Sequence, residues 1–595
     1  MSFIQKIKMD INEAIALALK EQKSGNLIMA ESIYRKILEI QPDNVNALHF
    51  LGLIYFVNKD FDSAIEYISK SLNIEPAYPE ALLNMGLVLM AKGHFDEALY
   101  YLRKSFQFNP ECAETLKNIG AILQVQGNYD EAIINYKKAL EINPELSDIY
   151  KNVAYLFRDK GMLNEAIIFF KKALEYYPGI ADIHNNLGLA LNDIGEIDEA
   201  IGYLRNAIKI NPGNPEFYNN LGVILRGKGL FDEAIGCFTQ ALMLNNRFLE
   251  AYNNIAVSLR EKGHIEEAIY FLRKALDINP DFASAHWNLA LIFLLTGNYS
   301  EGWKEYKWFW KLKDTNNFNF SKPLWDGFNI DGKTLLVYAE QGYGDTIQFI
   351  RYIPFITEAG AEVILLCQEE LKELFSNLRN LKQVITFGEN LPHFDFYCSI
   401  LMLPAIFQTT IENIPANVPY IFTEQSLINE WRKRLNNNNS TFKIGLVWSS
   451  GHRNSTLQFR SSSLESFSML SSIKGVEFYS LQKGISNEEV INFYQKMKIH
   501  DFTNNIFNFN DTAALIMNLD LIISVDTSVA HLAGALGKPV WVLLPSVPDW
   551  RWMLNREDSP WYPSMRLFRQ TKHGDWDTVI KNVRDAILDF IQIKS

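Results

Sequence analysis

A small residue returns every 34 positions through the first half of the chain: Ala18, Gly52, Gly86, Gly120, Ala154, Gly188, Gly222, Ala256 and Ala290. A fixed period of this length demands a stack of like units, each burying its apolar face against its neighbours. Seven positions after each small residue stands a glycine, from Gly25 to Gly297, and only Lys59 breaks the series. Twelve positions after it comes alanine, at Ala30, Ala64, Ala98, Ala132, Ala166, Ala200, Ala234 and Ala268. Proline closes most units, with Asn246 the exception. Small residues let two helices approach closely. The glycine supplies the positive φ that ends the first helix. The proline stops the second before the next unit begins. Apolar residues between these marks, such as Ala132, Ile133, Tyr136 and Ala139, fall at helical spacing.

Period and residue types together resemble the tetratricopeptide repeat, nine units over residues 11–310. The expected architecture is an α-solenoid, which by itself implies binding and nothing more. In the ninth unit Gly302 replaces alanine, and Trp303, Tyr306, Trp308 and Phe309 follow. A terminal repeat packed on something else is expected there.

Two residues before the small residue, seven consecutive units carry asparagine: Asn84, Asn118, Asn152, Asn186, Asn220, Asn254 and Asn288. Asparagine is a mediocre helix former, and the repeat does not need it for packing. Its carboxamide has one acceptor and two donors, so it can hold a peptide unit without reading side chains. A ladder of them suits an extended polypeptide acceptor. Duplication copying a harmless residue is the alternative reading. The ladder resembles that of the O-GlcNAc transferases, whose superhelix binds protein substrates.

The chain has 595 residues, 48% apolar and 21% charged, too long for one ordinary core and too apolar for disorder. No window approaches ~18 consecutive apolar residues, so no membrane span is expected. Residues 1–16 lack the apolar stretch of a secretory signal. Four scattered cysteines, none in a CxxC pair, offer neither a disulfide framework nor zinc spacing. A net charge of −12 argues against a nucleic-acid partner. The expectation is a soluble, cytoplasmic protein.

Beyond Asp314 the period vanishes. Residues 311–331 read as a connector. Apolar, β-branched runs at 335–339, 362–367, 394–399, 443–448, 476–481, 521–525 and 540–544 then alternate with helical stretches. That alternation predicts parallel sheets with crossover helices. Asn436, Asn437, Asn438, Asn439 and Ser440 read as a solvated turn. The predicted α/β module therefore has two Rossmann-like halves, 332–435 and 441–595, with ligands beyond the carboxyl ends of the strands.

Two segments carry chemistry. Glu340-Gln341-Gly342-Tyr343-Gly344-Asp345 follows a predicted strand and opens a helix. Asp345 is placed there either as a base for an acceptor hydroxyl or simply as a helix cap. Ser524-Val525-Asp526-Thr527-Ser528-Val529-Ala530-His531 follows another strand. Asp526, Thr527 and Ser528 begin a helix whose free N–H groups suit a phosphate. His531, four residues past Thr527, is either a donor to a diphosphate or a packed core residue. Trp550, Trp552, Trp561 and Tyr562 fit packing better than stacking on a ligand.

Gly344-Asp345 with Gln348 and Pro354 resembles the opening motif of the family 9 glycosyltransferases, the heptosyltransferases. The stretch 526–539 matches that family's second signature. The whole chain resembles bacterial tetratricopeptide proteins with a C-terminal domain of this kind, which Leu481-Gln482-Lys483-Gly484 and Asp549-Trp550-Arg551-Trp552 also fit. The resemblance implies a GT-B module with an acceptor-side half followed by a donor-side half. It implies that Asp345 is the general base, and that Gly344, Asp526, Thr527, Ser528 and His531 meet the donor. It also implies a basic residue after the 443–448 strand, where Arg460 is the favoured choice among His452, Arg453 and Arg460. Lys483 is a further phosphate candidate. The implied activity is inverting transfer from a nucleotide-diphosphate sugar to a protein hydroxyl, Ser or Thr. No DxD carboxylate pair sits where a metal would be held, so neither metal nor cofactor is expected. Two alternatives stay open: a glycan or lipid-linked acceptor with the repeats as docking module, and a non-catalytic scaffold.

Overall fold

The computed structural model describes residues 10–312, 318, 320–435, 441–450, 462, 464–484 and 488–594. The chain forms two compact units, one up to Gly213 and one from Asn214 to Ser595.

The first unit consists of six antiparallel helix pairs, from Ile11–Lys23 with Leu27–Ile40 to Ala181–Asp193 with Ile197–Ile210. The periodic residues explain the pairs. At Gly52, an added Cβ would lie 2.6 Å from Ile68 Cγ1 of the second helix, so only the smallest side chains let the helices close. The glycines seven positions on take φ between 73° and 92° and turn the chain into the second helix. Lys59 adopts the same left-handed conformation with φ 62°, paying the Cβ penalty that the glycines avoid.

The second unit opens with three more pairs: Pro215–Gly227 with Phe231–Leu244, Leu249–Glu261 with Ile265–Ile278, and Ala283–Leu295 with Tyr299–Tyr306. The last is followed by a short 3₁₀ turn, Lys307–Lys311. The aromatic ninth repeat is packed as expected. Tyr299 and Trp303 are buried, and Trp303 Nε1 donates to the Thr409 carbonyl at 2.8 Å.

Two parallel sheets follow. The smaller contains β1 (Thr334–Tyr338), β2 (Glu362–Cys367), β3 (Gln383–Thr386) and β4 (Phe396–Ser399), in the order β3-β2-β1-β4. The larger contains β5 (Phe442–Val447), β6 (Val476–Ser480), β7 (His500–Asp501), β8 (Leu521–Val525), β9 (Val540–Leu544) and β10 (Met565–Arg569). Its order is β10-β9-β8-β5-β6-β7. All registered neighbours in both sheets run parallel. Strands β1, β5, β8 and β9 are apolar almost throughout and buried on both faces, as helix-covered parallel strands must be. Each sheet reverses its order of growth once, between β1 and β4 and between β5 and β8. In such sheets ligands bind beyond the carboxyl ends of the strands at that reversal. The segments following β1 and β8 are the two singled out in the sequence.

One apolar core runs from Ala290 and Trp303 through Val337 and Leu365 to Leu532 and Trp561, joining the last repeat to both sheets. Among the described residues, no helix is long and apolar enough to cross a membrane.

Candidate functional site

Helix Tyr343–Phe349, which follows β1, packs against helix Ser528–Ala535, which follows β8. Gly344 makes the approach possible. A Cβ on it would fall 3.0 Å from His531 Cδ2 and 3.5 Å from Ser528 Cα. The two segments chosen from sequence therefore meet, one from each sheet.

Asp345 is the third residue of its helix, and Gly342 takes the cap position. The carboxylate accepts a hydrogen bond from Arg551 Nη2. Arg551 lies in the short 3₁₀ turn Trp550–Trp552. Its guanidinium also donates to Asp549 Oδ1 at 2.8 Å and, through Nε, to Gln348 Oε1 at 2.7 Å. Burial opposes its charge, but Asp549 and Asp345 hold it protonated. Charge-assisted pairs of this kind fix geometry as well as adding energy.

Glu340 ends the strand segment on the same side. The Ser399 hydroxyl, at the end of β4, donates to one of its oxygens. Its Oε2 is buried without a partner, as is Nε2 of Gln348. Burial pushes the Glu340 carboxyl up to about 8; the Ser399 bond opposes the rise and Asp345 adds to it. Tyr306 of the last repeat is buried within reach of Arg551, Asp345, Glu340 and Asp549, all of which act on its hydroxyl.

His531 is buried, with Nδ1 at 2.9 Å from the Tyr562 hydroxyl and its ring stacked on Trp552, 5.2 Å between centroids. Burial holds its pKa near 3, reinforced by Arg551 and Arg351, so the imidazole is neutral. Thr527 is the cap of helix Ser528–Ala535 rather than part of it, with extended backbone, and its hydroxyl lies 2.8 Å from that of Ser524. Asp526 precedes the cap and, with Thr527 and Ser528, is half-buried at the carboxyl end of β8. Lys483 is exposed and donates to the Ile506 carbonyl at 2.7 Å. Arg460, His452 and Arg453 lie outside the described residues, as do the asparagines of 436–440. Trp550, Trp552, Trp561 and Tyr562 are buried packing residues.

The ladder asparagines hydrogen-bond along the stack. Asn84 Nδ2 meets His49 Nε2 at 2.8 Å, Asn254 donates to Asn219 Oδ1 at 2.9 Å, and Asn288 donates to Asn253 Oδ1 at 2.8 Å. In each case the partner stands 35 residues earlier, in the preceding repeat. Arginine from the preceding repeat reaches the carboxamide oxygen at Asn186, from Arg158, and at Asn254, from Arg226. Asn118 and Asn186 also donate to backbone carbonyls four residues back, and Asn152 bonds the Tyr136 hydroxyl. Asn220 likewise has an interaction partner.

Sequence reading did not assign Arg551 or Glu340 a role. Arg551 was signalled by a charged residue set between two tryptophans, a pattern that forces a guanidinium into an aromatic core. Arg351 was missed outright. Its buried guanidinium donates to the carbonyl of Trp561 at 2.7 Å and to the Tyr420 hydroxyl at 2.8 Å, tying the two sheets' connections together.

Comparison with known proteins gives matches in both halves of the chain. Tetratricopeptide families match residues 113–146, 147–179, 169–202, 188–229, 215–248 and 257–297. Residues 24–105 match the family described as anaphase-promoting complex, cyclosome, subunit 3. Residues 505–558, spanning β8, helix Ser528–Ala535, β9 and Arg551, match glycosyltransferase family 9 (heptosyltransferase). The chain is thus similar to tetratricopeptide-repeat families through its first half and to glycosyltransferase family 9 over residues 505–558. It is 27% identical over 324 residues to protein FlbA of Caulobacter vibrioides, a match covering 50% of this chain and 54% of FlbA. The chain thus spans about half the length of that relative. Among solved structures, YrrB, described as a repeat protein with an unusual peptide-binding site, is 28% identical over 31% of this chain and 95% of its own, with TM-score 0.29. MamA is 28% identical over 28% of this chain and 95% of its own, with TM-score 0.26.

Proposed function

We propose that this tetratricopeptide–family 9 protein moves a sugar, with inversion and without a metal, from a nucleotide-diphosphate sugar to a Ser or Thr hydroxyl of a protein held by its repeats. The observation that supports the reading is the meeting of the Gly344-Asp345 segment with the 526–531 segment at the carboxyl ends of two parallel sheets, the second segment lying inside the residues 505–558 that match family 9. The diphosphate lies at the start of helix Ser528–Ala535, where Asp526, Thr527 and Ser528 present backbone N–H groups and hydroxyls. The neutral His531 imidazole donates a hydrogen bond rather than a charge. Asp345 takes the proton of the acceptor hydroxyl as that oxygen attacks the anomeric carbon and the nucleotide diphosphate leaves. Arg551 orients the Asp345 carboxylate through their hydrogen bond. Glu340 Oε2 and Gln348 Nε2, buried and unpartnered, are available to the acceptor alcohol.

The test is intact-mass and peptide mass spectrometry after incubating the full chain with nucleotide sugars and a Ser/Thr peptide library. Transfer is expected, and Asp345→Asn should lower kcat at least about a hundredfold, the usual worth of a general base. An Asp345→Asn variant of unchanged kcat would remove Asp345 from the mechanism. Transfer to glycans alone would remove the protein acceptor.

A further inference from the structure

A cavity of about 390 Å³ lies within the second unit, between the last three repeats and the loops that follow β9 and β10. Its repeat wall comes mainly from the first helices of the pairs, with Arg226, Arg260, Trp287 and Asn288 among the lining residues. The opposite wall is the 545–550 loop, stiffened by Pro545 and Pro548, together with His573. Asn288 belongs to the asparagine ladder, and Arg226 donates to the carboxamide oxygen of ladder residue Asn254 at 3.1 Å. The cavity therefore lies along the face that carries the ladder. At its other end Asp549 lines it, and Asp549 shares the Arg551 guanidinium with Asp345.

The lining carries two arginines, Arg226 and Arg260, and two carboxylates, Glu261 and Asp549, and three of these four are already paired. Arg260 pairs with Glu261 at 2.8 Å, and Asp549 is engaged by Arg551 at 2.8 Å. Arg226 makes no ion pair among the described residues; its guanidinium donates to the neutral carboxamide of Asn254. Arg226 is half-buried and has no ion-pair partner within hydrogen-bond reach, so an anion entering the cavity can pair with it directly. Burial and the neighbouring Arg260 both disfavour its charged form, with Glu261 opposing. The planar fork of arginine suits a carboxylate in bidentate fashion.

We infer that this cavity is a specificity pocket for the acceptor polypeptide, and that Arg226 receives the carboxylate of an Asp or Glu side chain near the modified hydroxyl. The inference rests on the protein-acceptor reading above. Trp287 and the apolar floor of Leu291 and Leu295 hold the methylene portion of that side chain. The ladder grips the backbone irrespective of sequence, and the pocket adds the selection that the ladder lacks.

The experiment is fluorescence anisotropy of the full chain with dye-labelled Gly/Ser/Thr peptides identical except for one central Asp, Asn or Lys. The Asp peptide should bind about tenfold tighter than its Asn twin, and the Lys peptide more weakly than both. Arg226→Gln should abolish that preference while leaving nucleotide-sugar binding unchanged. Arg260→Gln, a second variant should the first fail to fold, should reduce the preference partly. Equal binding of Asp and Asn peptides, still weakened by alanine at Asn254 and Asn288, would overturn the pocket and keep the protein acceptor. Binding of no peptide would overturn both. Loss of nucleotide-sugar binding in Arg226→Gln would assign the anion to the donor and overturn the pocket.

Discussion

Glu340 is a carboxyl group whose surroundings oppose its charge. Its ordinary pKa of 4.5 is raised to about 8 in the folded protein by burial. Between those values the folded chain holds a proton that the unfolded chain has released. Folding stability therefore falls as pH rises through that window. Glu340→Gln copies the protonated group and removes the fall. The thermal midpoint of the variant, close to wild type near about pH 5, should exceed it by a few degrees above about pH 8. A gap that does not change with pH would mean that Glu340 is not buried as described. The repeat glycines give a second residue-scale prediction. Gly93 has φ 82° and open space around an added Cβ. Gly93→Ala should cost about 1 kcal/mol from backbone strain alone. Far-UV ellipticity on urea unfolding measures this, and an unchanged midpoint would contradict it.

At the scale of elements, ladder asparagines join neighbouring repeats. Asn254 accepts from Arg226 and donates to Asn219. Asn254→Ala leaves both partners unsatisfied and should cost about 1–3 kcal/mol. All twelve tryptophans lie at Trp287 or beyond, so tryptophan fluorescence during urea unfolding reports the second unit selectively. A change below about 0.5 kcal/mol would mean that water replaces these bonds without loss. Helix pairs were legible because three residue types repeat together at one period. The long apolar strands were legible because parallel strands covered on both faces are continuous apolar runs. Strands β3, β7 and β10 were not. Gln383–Thr386 is a short edge strand partly open to solvent, His500–Asp501 is two polar residues, and Met565–Arg569 alternates apolar residues with arginine. Asp345 and the 526–531 segment were legible because tight turns after strands need glycine and capping residues. Arg551 meets Asp345 across 206 positions of sequence and Glu340 meets Ser399 across 59, and spacing along the chain carries no record of that.

At the scale of the whole molecule, the last repeat shares a core with the two sheets, and the boundary between compact units falls after Gly213 rather than where the period ends. Aromatic residues of the ninth repeat cause this: Tyr299 and Trp303 pack against Trp550, whose turn carries Arg551. The ninth repeat and the residues after β9 meet in that one apolar cluster. The central claim is that the segment after β8 is a working donor site. Calorimetric titration of the full chain with UDP-, GDP-, CMP-, dTDP- and ADP-linked sugars tests it most directly, with Asp526→Ala as control. One nucleotide class should bind, and the control should lose that binding at least about tenfold. Absence of binding across all five classes, or binding untouched by Asp526→Ala, would contradict the account.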